Sequence, residues 1–105
     1  MTENKDAKAI NLEIQMDDVT ALGQYVNMVV AQHSHSEFVL DFIFIQPGGQ
    51  LKGRVRSRII LAPEHAKRLL RVLQDNIGRY EQRFGEIRIP ELPPGATMPP
   101  ASSVQ

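Results

Sequence analysis

The stretch Pro63–Phe84 constrains the fold of this chain more than any other part of its sequence. Its apolar residues recur at alternating steps of four and three positions, the spacing of one stripe along an α-helix; they are Ala66, Leu70, Leu73, Ile77, Tyr80 and Phe84. Pro63 suits the first position of a helix, and Gly85 suits the position after its end. We therefore predict one long helix whose apolar stripe must be covered by another surface.

Several segments before this helix have the patterns of β-strands. Residues 25–32 and 37–46 are rich in β-branched and aromatic side chains, and residues 51–61 follow the turn-forming sequence Pro-Gly-Gly-Gln. Between residues 10 and 16, apolar and polar residues alternate with the period of a half-buried strand. Residues 19–24 indicate a short helical turn that ends at Gly23. We predict an α+β fold, an antiparallel meander of about four strands with one long C-terminal helix packed on one face.

Length and composition predict one domain between two tails. In this sequence of 105 residues we expect a disordered tail at residues 1–9, a single α+β domain at residues 10–87, and a proline-rich disordered tail at residues 88–105. The absence of cysteine excludes disulfides and thiolate chemistry. No signal-peptide pattern and no apolar run long enough for a bilayer is present, so we expect a cytoplasmic protein without a membrane partner.

The charge pattern predicts two unlike faces for the sheet. If Asp41 lies opposite Arg56, the phenylalanine and leucine side chains of residues 38–44 share an apolar face that the helix covers. The other face mixes aliphatic and charged residues, and its aliphatic part is larger than soluble monomers usually leave exposed. We predict that a second copy of the chain covers it, in a homodimer or higher oligomer, through Val26, Met28, Val30, Val39, Asp41, Ile43, Ile45, Arg54, Arg56 and Arg58.

A histidine-rich turn suggests one possible cofactor, a metal ion. His33 and His35 lie two positions apart, so an extended backbone projects both to the same side, and Glu37 follows at the same spacing. Imidazole and carboxylate are ligands for zinc and similar ions, and His65 is a candidate for a further ligand. The alternative is a polar hairpin turn whose serines bond to nearby backbone.

Basic residues alternate along the third predicted strand, at Lys52, Arg54, Arg56 and Arg58. Such a ladder is able to meet phosphates, but the formal net charge is zero, aromatic residues are few and no nucleic-acid motif is present. We therefore do not expect nucleic acid as a partner, and we expect the arginines to pair with carboxylates at a subunit contact. The sequence also lacks a nucleophile elbow and a phosphate-binding loop, so we expect no enzymatic activity.

Several short motifs of this chain occur together in one known family. They are residues 34–38 (SHSEF), 40–42 (LDF), 57–59 (SRI), 63–67 (PEHAK), 76–77 (NI), 80–81 (YE) and 84–85 (FG). In these motifs the chain resembles the bacterial family called domain of unknown function 3467. In that family a Ser or Thr usually precedes Pro-Glu-His, so Ala62 departs from the pattern and weakens the predicted helix cap. The resemblance implies this domain and no established activity.

The order of three strands and a long helix is also similar in architecture to export chaperones of the SecB type, which oligomerise through sheets and helices. Together these features favour a small homo-oligomeric interaction or scaffold protein without catalytic activity. One alternative is a metal-binding protein that uses the His-x-His-x-Glu hairpin. Another is a chaperone-like protein that binds unfolded segments through an exposed apolar groove.

Overall fold

The computed structural model describes residues 10–90, and within them the chain forms one antiparallel sheet and two helices. The elements in order are α1 (Asp18–Ala21), β1 (Met28–His33), β2 (Phe38–Gln46), β3 (Lys52–Leu61) and α2 (Pro63–Phe84). β2 lies in the centre of the sheet, with β1 and β3 paired to its two sides. The α+β class, the meander and the long C-terminal helix are confirmed. The predicted tail at residues 1–9, and residues 91–105 of the other tail, lie outside the described residues.

Residues 10–90 form three strands where about four were predicted. Residues 10–16 pair with no strand in the described part of the chain, and their four apolar side chains are between 65% and 88% exposed. Alternation predicts which residues of a strand share a face, but a strand also needs an edge that accepts its hydrogen bonds. Residues 10–16 meet no such edge within the described part of the chain.

The short helix α1 joins this extended segment to the sheet, as predicted. The carboxylate of Asp17 accepts a hydrogen bond from the Thr20 N–H at 3.0 Å, which satisfies a free donor of the first turn. A side-chain hydrogen bond with Thr20 and, next to it, the bond from the Thr20 N–H lower the pKa of Asp17 below its ordinary value. Gly23, with φ 78°, then ends the turn in a conformation that favours glycine.

β1 and β2 form the predicted hairpin with a slightly different alignment. The Ser34 N–H donates to the Glu37 carbonyl at 2.9 Å and closes the turn. The polar turn predicts that Gln32 pairs with Glu37, which would set Val30 opposite Val39. Val30 instead lies opposite Asp41, and this shift of two residues leaves every β1 side chain on its predicted face. Just before β1, the Asn27 side chain bonds to both the N–H and the carbonyl of Ile45, at 2.8 and 3.1 Å, and so extends the pairing.

A β-bulge changes the predicted register between β2 and β3. Ile43 lies opposite Val55 and Phe42 opposite Ser57, so Arg56 is an extra residue in β3. The prediction that Asp41 lies opposite Arg56 is therefore wrong, because its partner is Arg58. The hairpin loop covers residues 47–51 and is one residue longer than we expected, and the bulge adds one more residue to the shift.

This register defines two faces of the sheet. We call one the Asp41 face; it carries Met28, Val30, Val39, Asp41, Ile43, Ile45, Val55 and Arg58. We call the other the phenylalanine face; it carries Val29, Phe38, Leu40, Phe42, Phe44, Arg54, Ser57 and Ile59. The shared face of the β2 phenylalanines is confirmed. The extra loop residue places Arg54 on the phenylalanine face and not on its predicted face, and the bulge returns Arg58 to its predicted face.

The helix α2 has the predicted bounds and both predicted ends. Ala62 provides no side-chain cap, and Gly85, with φ 102°, follows the last turn. No residue of α2 is buried; Ala66 and Leu69 are half-buried in its first turns, and the helix contacts β3. The predicted packing of α2 along one face of the sheet therefore does not extend over its length within one chain. An amphipathic stripe indicates that a helix face needs cover, but not which surface provides it.

The core of the described chain is small and lies in the sheet. Its buried hydrophobic residues are Val30 and Ile43, at 7% and 6% exposure, and both belong to the Asp41 face. Within residues 10–90 no helix combines the length and the apolar character that a membrane span requires.

Candidate interaction surface

A buried ion pair lies at the centre of the Asp41 face. Asp41 is only 1% exposed, and its two carboxylate oxygens accept hydrogen bonds from Nε and Nη2 of Arg58 at 2.7 and 2.9 Å. This two-point geometry is the strong form of an arginine–carboxylate contact. The hydrogen bonds from Arg58, helped by its positive charge and opposed by burial, lower the pKa of Asp41. The carboxylate therefore stays ionised at neutral pH and acts as a structural partner of the arginine.

Burial limits what the Asp41 face offers to a partner. Val30, Asp41 and Ile43 are members of the predicted subunit contact, and all three are already buried in the single chain. The Arg58 side chain, 38% exposed, is more accessible than the carboxylate it holds. The subunit contact itself stays a prediction, but most of the exposed apolar surface lies elsewhere.

A long exposed apolar surface of the described chain runs along α2. We call it the α2 stripe, and it consists of Ala66, Leu70, Leu73, Ile77, Tyr80 and Phe84. Apart from Ala66, its side chains are between 45% and 66% exposed. Tyr80 and Phe84 already contact each other, with ring centroids 5.0 Å apart. A continuous row of this kind is typical of surfaces that bind another protein.

The extended residues 10–16 form a second exposed apolar surface. Ile10, Leu12, Ile14 and Met16 are all exposed, and their alternation places them on one side when the backbone is extended. Glu13 lies on the opposite side. The segment therefore has the form of a strand that lacks a neighbouring strand.

The basic residues of β3 divide between the two faces and do not form the single ladder that we predicted. Arg58 contacts Asp41 on one face, whereas Arg54 lies opposite Phe44 on the other. The Arg56 guanidinium carbon lies 5.0 Å from the centroid of the Phe44 ring, a cation–π contact on the phenylalanine face. A hollow of about 490 Å³ beside this contact is lined by Phe44, Gln46, Lys52, Gly53, Arg54 and Arg56.

A second hollow separates α1 from the phenylalanine face and corrects the placement of Val26. It measures about 590 Å³, and Val26 lines it together with Phe42 and Ser57. Val26 was predicted at a subunit contact on the opposite face. It precedes β1, so the alternation of that strand does not extend to it.

The structure does not bring the four candidate metal ligands together. The His33 ring stacks on Phe38, with centroids 5.3 Å apart, and His65 Nδ1 lies 3.2 Å from Nη1 of Arg68. Throughout residues 10–90, no group of three or more His, Asp or Glu side chains is arranged to hold a metal ion. His35 and Glu37 belong to a hairpin turn in which the Ser36 N–H donates to the Ser34 hydroxyl. This is the polar turn that the sequence left open as the alternative.

Comparison with known proteins identifies a family. A family model described as "Protein of unknown function (DUF3467)" matches residues 1–89 of the chain. The resemblance to this family is therefore confirmed. No curated protein and no solved structure matches the chain. The expected similarity to SecB-type chaperones consequently has no support from these comparisons.

Proposed function

We propose that this chain, which belongs to the DUF3467 family of proteins of unknown function, is a small homo-oligomeric interaction or scaffold module of the cytoplasm, without catalytic activity. The observation that carries the proposal is the exposed α2 stripe. Its large side chains each gain roughly 1.5–3 kcal/mol on full burial, and about half of that burial is missing in the single chain. A second copy is the simplest cover, because most soluble oligomers are symmetric assemblies of one chain.

The proposal extends to the fourth strand of the fold. Residues 10–16 have the alternation of a strand, and β1 and β3 each leave one edge unpaired in the described sheet. Addition of a strand to such an edge is a common mode of protein recognition. β3 is the better edge, since it carries Arg54 and Arg56 and the segment carries Glu13. We propose that this segment completes a sheet of about four strands in the oligomer.

The same exposed surface also favours one rival function, the capture of unfolded segments. A row of half-exposed leucine, isoleucine and aromatic side chains suits an apolar stretch of an unfolded chain as well as it suits a second copy. The two functions differ in the state of the free protein. A scaffold covers the stripe in a stable oligomer, whereas a capturing protein leaves the stripe accessible.

Sedimentation velocity at low micromolar concentration tests the proposal directly. We expect the wild-type chain to sediment as a dimer or higher oligomer. The variant Ile77→Glu places a charge within the α2 stripe and should sediment as a monomer, because that charge would have to be desolvated on association. The matched control is Gln82→Glu, which adds the same charge to an exposed position of the same helix outside the stripe.

A wild-type chain that stays folded and monomeric at these concentrations would refute the scaffold function. In that case, binding of a fluorescently labelled unfolded model protein measures the rival function. Capture by the wild type and its loss in Ile77→Glu would then assign the stripe to unfolded chains.

A further inference from the structure

The α2 stripe follows a seven-residue repeat through the whole helix. Leu70, Ile77 and Phe84 take the position called a in a heptad, and Ala66, Leu73 and Tyr80 take the position called d. Helices with this repeat pack against other helices, because a spacing of 3.5 residues keeps one seam facing the partner. A helix that lies on a sheet needs only a broad apolar face. The repeat therefore indicates that the missing partner of α2 is another helix.

We infer that α2 pairs with α2 of a second copy in antiparallel orientation, about a two-fold axis level with Asp75. This inference rests on the proposed function and specifies the surface that the two copies share. In a two-fold interface, residue i contacts residue j and residue j contacts residue i. About this axis, each member of the α2 stripe lies level with another member in the second copy, and none lies opposite a polar position.

The sizes of the paired side chains fit this arrangement. At the centre, Leu73 lies beside Ile77 of the second copy, two aliphatic groups of equal volume. At the ends, the small Ala66 lies beside the large Phe84 of the second copy. Alternation of large and small residues across an interface fills space without voids or strain. Between these layers, Leu70 lies beside Tyr80.

The charges that flank the stripe also fit. In the antiparallel pair, Lys67 lies beside Glu81 of the second copy, and the two-fold axis repeats this contact at the other end. Within residues 10–90, neither Lys67 nor Glu81 has an ion-pair partner. Glu64 and Asp75 on the same helix do, with Arg68 and Arg79. The antiparallel pairing would therefore give Lys67 and Glu81 the opposite charge that neither has among the described residues.

A parallel pairing lacks this complementarity. In parallel helices aligned in register, residues flanking the seam meet a residue five positions away in the partner. Lys67 would then meet Ala62, and Glu81 would meet Asn76, so neither charge would gain an opposite charge. The end layers would also set Phe84 against Phe84 and Ala66 against Ala66. Both size and charge thus favour the antiparallel orientation.

Single cysteines report the orientation of the helices without interference, because the chain contains no cysteine of its own. In the antiparallel pair, Gln74 lies beside Gln74 of the second copy, close to the axis. The two copies of Lys67 lie roughly 20 Å apart along the helices, at about 1.5 Å per residue. We expect a short bismaleimide to cross-link Gln74→Cys efficiently and the matched control Lys67→Cys weakly. Sedimentation first confirms that both variants associate.

The outcomes of this experiment separate the inference from the proposed function. Equal cross-linking of the two variants would overturn the antiparallel orientation, since a parallel pair sets both residues at the same distance from their copies. If both variants associate but neither cross-links, the two copies meet through another surface; the helix pairing is then wrong and the proposed function stands. If the wild-type chain does not associate, both are wrong.

A charge reversal tests the flanking contacts. Glu81→Lys faces Lys67 of the second copy at both ends of the pair. At each end it removes one attraction and adds one repulsion, each worth a few tenths of a kcal/mol, so the dissociation constant of the pair should rise roughly tenfold. The double variant Lys67→Glu with Glu81→Lys restores opposite charges and should return the constant to within about twofold of the wild type.

The side chain of Glu81 also accepts a hydrogen bond from the Ile87 N–H at 3.0 Å, which both variants lose. Recovery in the double variant therefore reports the contact between copies and not this local bond. A double variant that associates as weakly as Glu81→Lys alone would exclude the Lys67–Glu81 contact and with it the proposed register.

Discussion

The centre of the Asp41 face and the α2 stripe differ in how the chain treats residues of similar apolar character. In the sheet, Val30 and Ile43 are buried by their own chain, and the charged Asp41 among them has a full partner in Arg58. Along the helix, Leu73 and Ile77 are about half exposed. A strand forms backbone hydrogen bonds with the strands beside it, and this pairing brings their side chains together. A helix forms its backbone hydrogen bonds within itself and depends on another element to cover its side chains.

If the proposed oligomer forms, the two regions obtain their stability from different sources. The sheet centre is stabilised within one chain, so its contribution does not depend on protein concentration. The helix would be stabilised in part by association, so its contribution would grow with protein concentration. Each prediction below tests one side of this contrast.

Substitution of the buried and the exposed isoleucine should separate the two regions most clearly. Ile43→Ala removes a buried side chain from the sheet centre and should lower the free energy of unfolding by about 2–4 kcal/mol at every protein concentration. Ile77→Ala should lower it by an amount that depends on concentration, because it weakens association. Urea unfolding at two protein concentrations measures both. A loss for Ile77→Ala that is independent of concentration would contradict the contrast.

The ion pair of the Asp41 face should make the stability of the sheet depend on acid. Because the hydrogen bonds from Arg58 hold the folded-state pKa of Asp41 below its ordinary value of 3.8, the contribution of this ion pair to stability is complete above that ordinary value and is lost as pH falls through the lower folded-state pKa. Between pH 6 and pH 3, the urea midpoint should fall more in the wild type than in Asp41→Asn, because the variant lacks the titrating group. Equal losses in the two proteins would show that other carboxylates account for the pH dependence.

A side-chain cap at the start of α2 should give a smaller gain in stability. Ala62 has the extended backbone of an N-cap residue, φ −64° and ψ 154°, but no side-chain hydrogen bond. Ala62→Ser adds an oxygen that accepts a free N–H of the first turn and should stabilise the chain by about 1 kcal/mol. Thermal unfolding measures the gain, with Ala62→Val as a control that adds side-chain atoms but no oxygen. An equal response of both variants would exclude capping as the cause.

The elements of this fold were predictable because each has a strong local signal. The bounds of α2 follow from its periodicity, from Pro63 at its start and from Gly85 at its end. The hairpin of β1 and β2 follows from apolar runs that flank a polar turn. The alternation of a strand was sufficient to predict which residues of β2 share a face. This prediction held although the pairing of β1 with β2 is shifted by two residues.

The arrangement of these elements was harder to predict because it depends on distant parts of the chain. A bulge leaves no mark in a sequence that already alternates; together with a hairpin loop one residue longer than expected, it misplaced the predicted partner of Asp41 by two positions. The alternating residues 10–16 have the pattern of a strand, but no sequence pattern states whether an edge is available to them. The α2 stripe was assigned to the sheet, although its seven-residue repeat was a signal for another helix.

The bulge at Arg56 gives β3 an unusual tolerance to a change in length. Loss of one residue from a strand normally turns every later side chain to the opposite face. Here the removal of Arg56 would join two segments whose alternation already agrees, so Val55 and Ser57 would keep their present partners. The Asp41–Arg58 contact would also survive. Deletion of Arg56 should therefore cost the sheet little beyond the contact of this residue with Phe44.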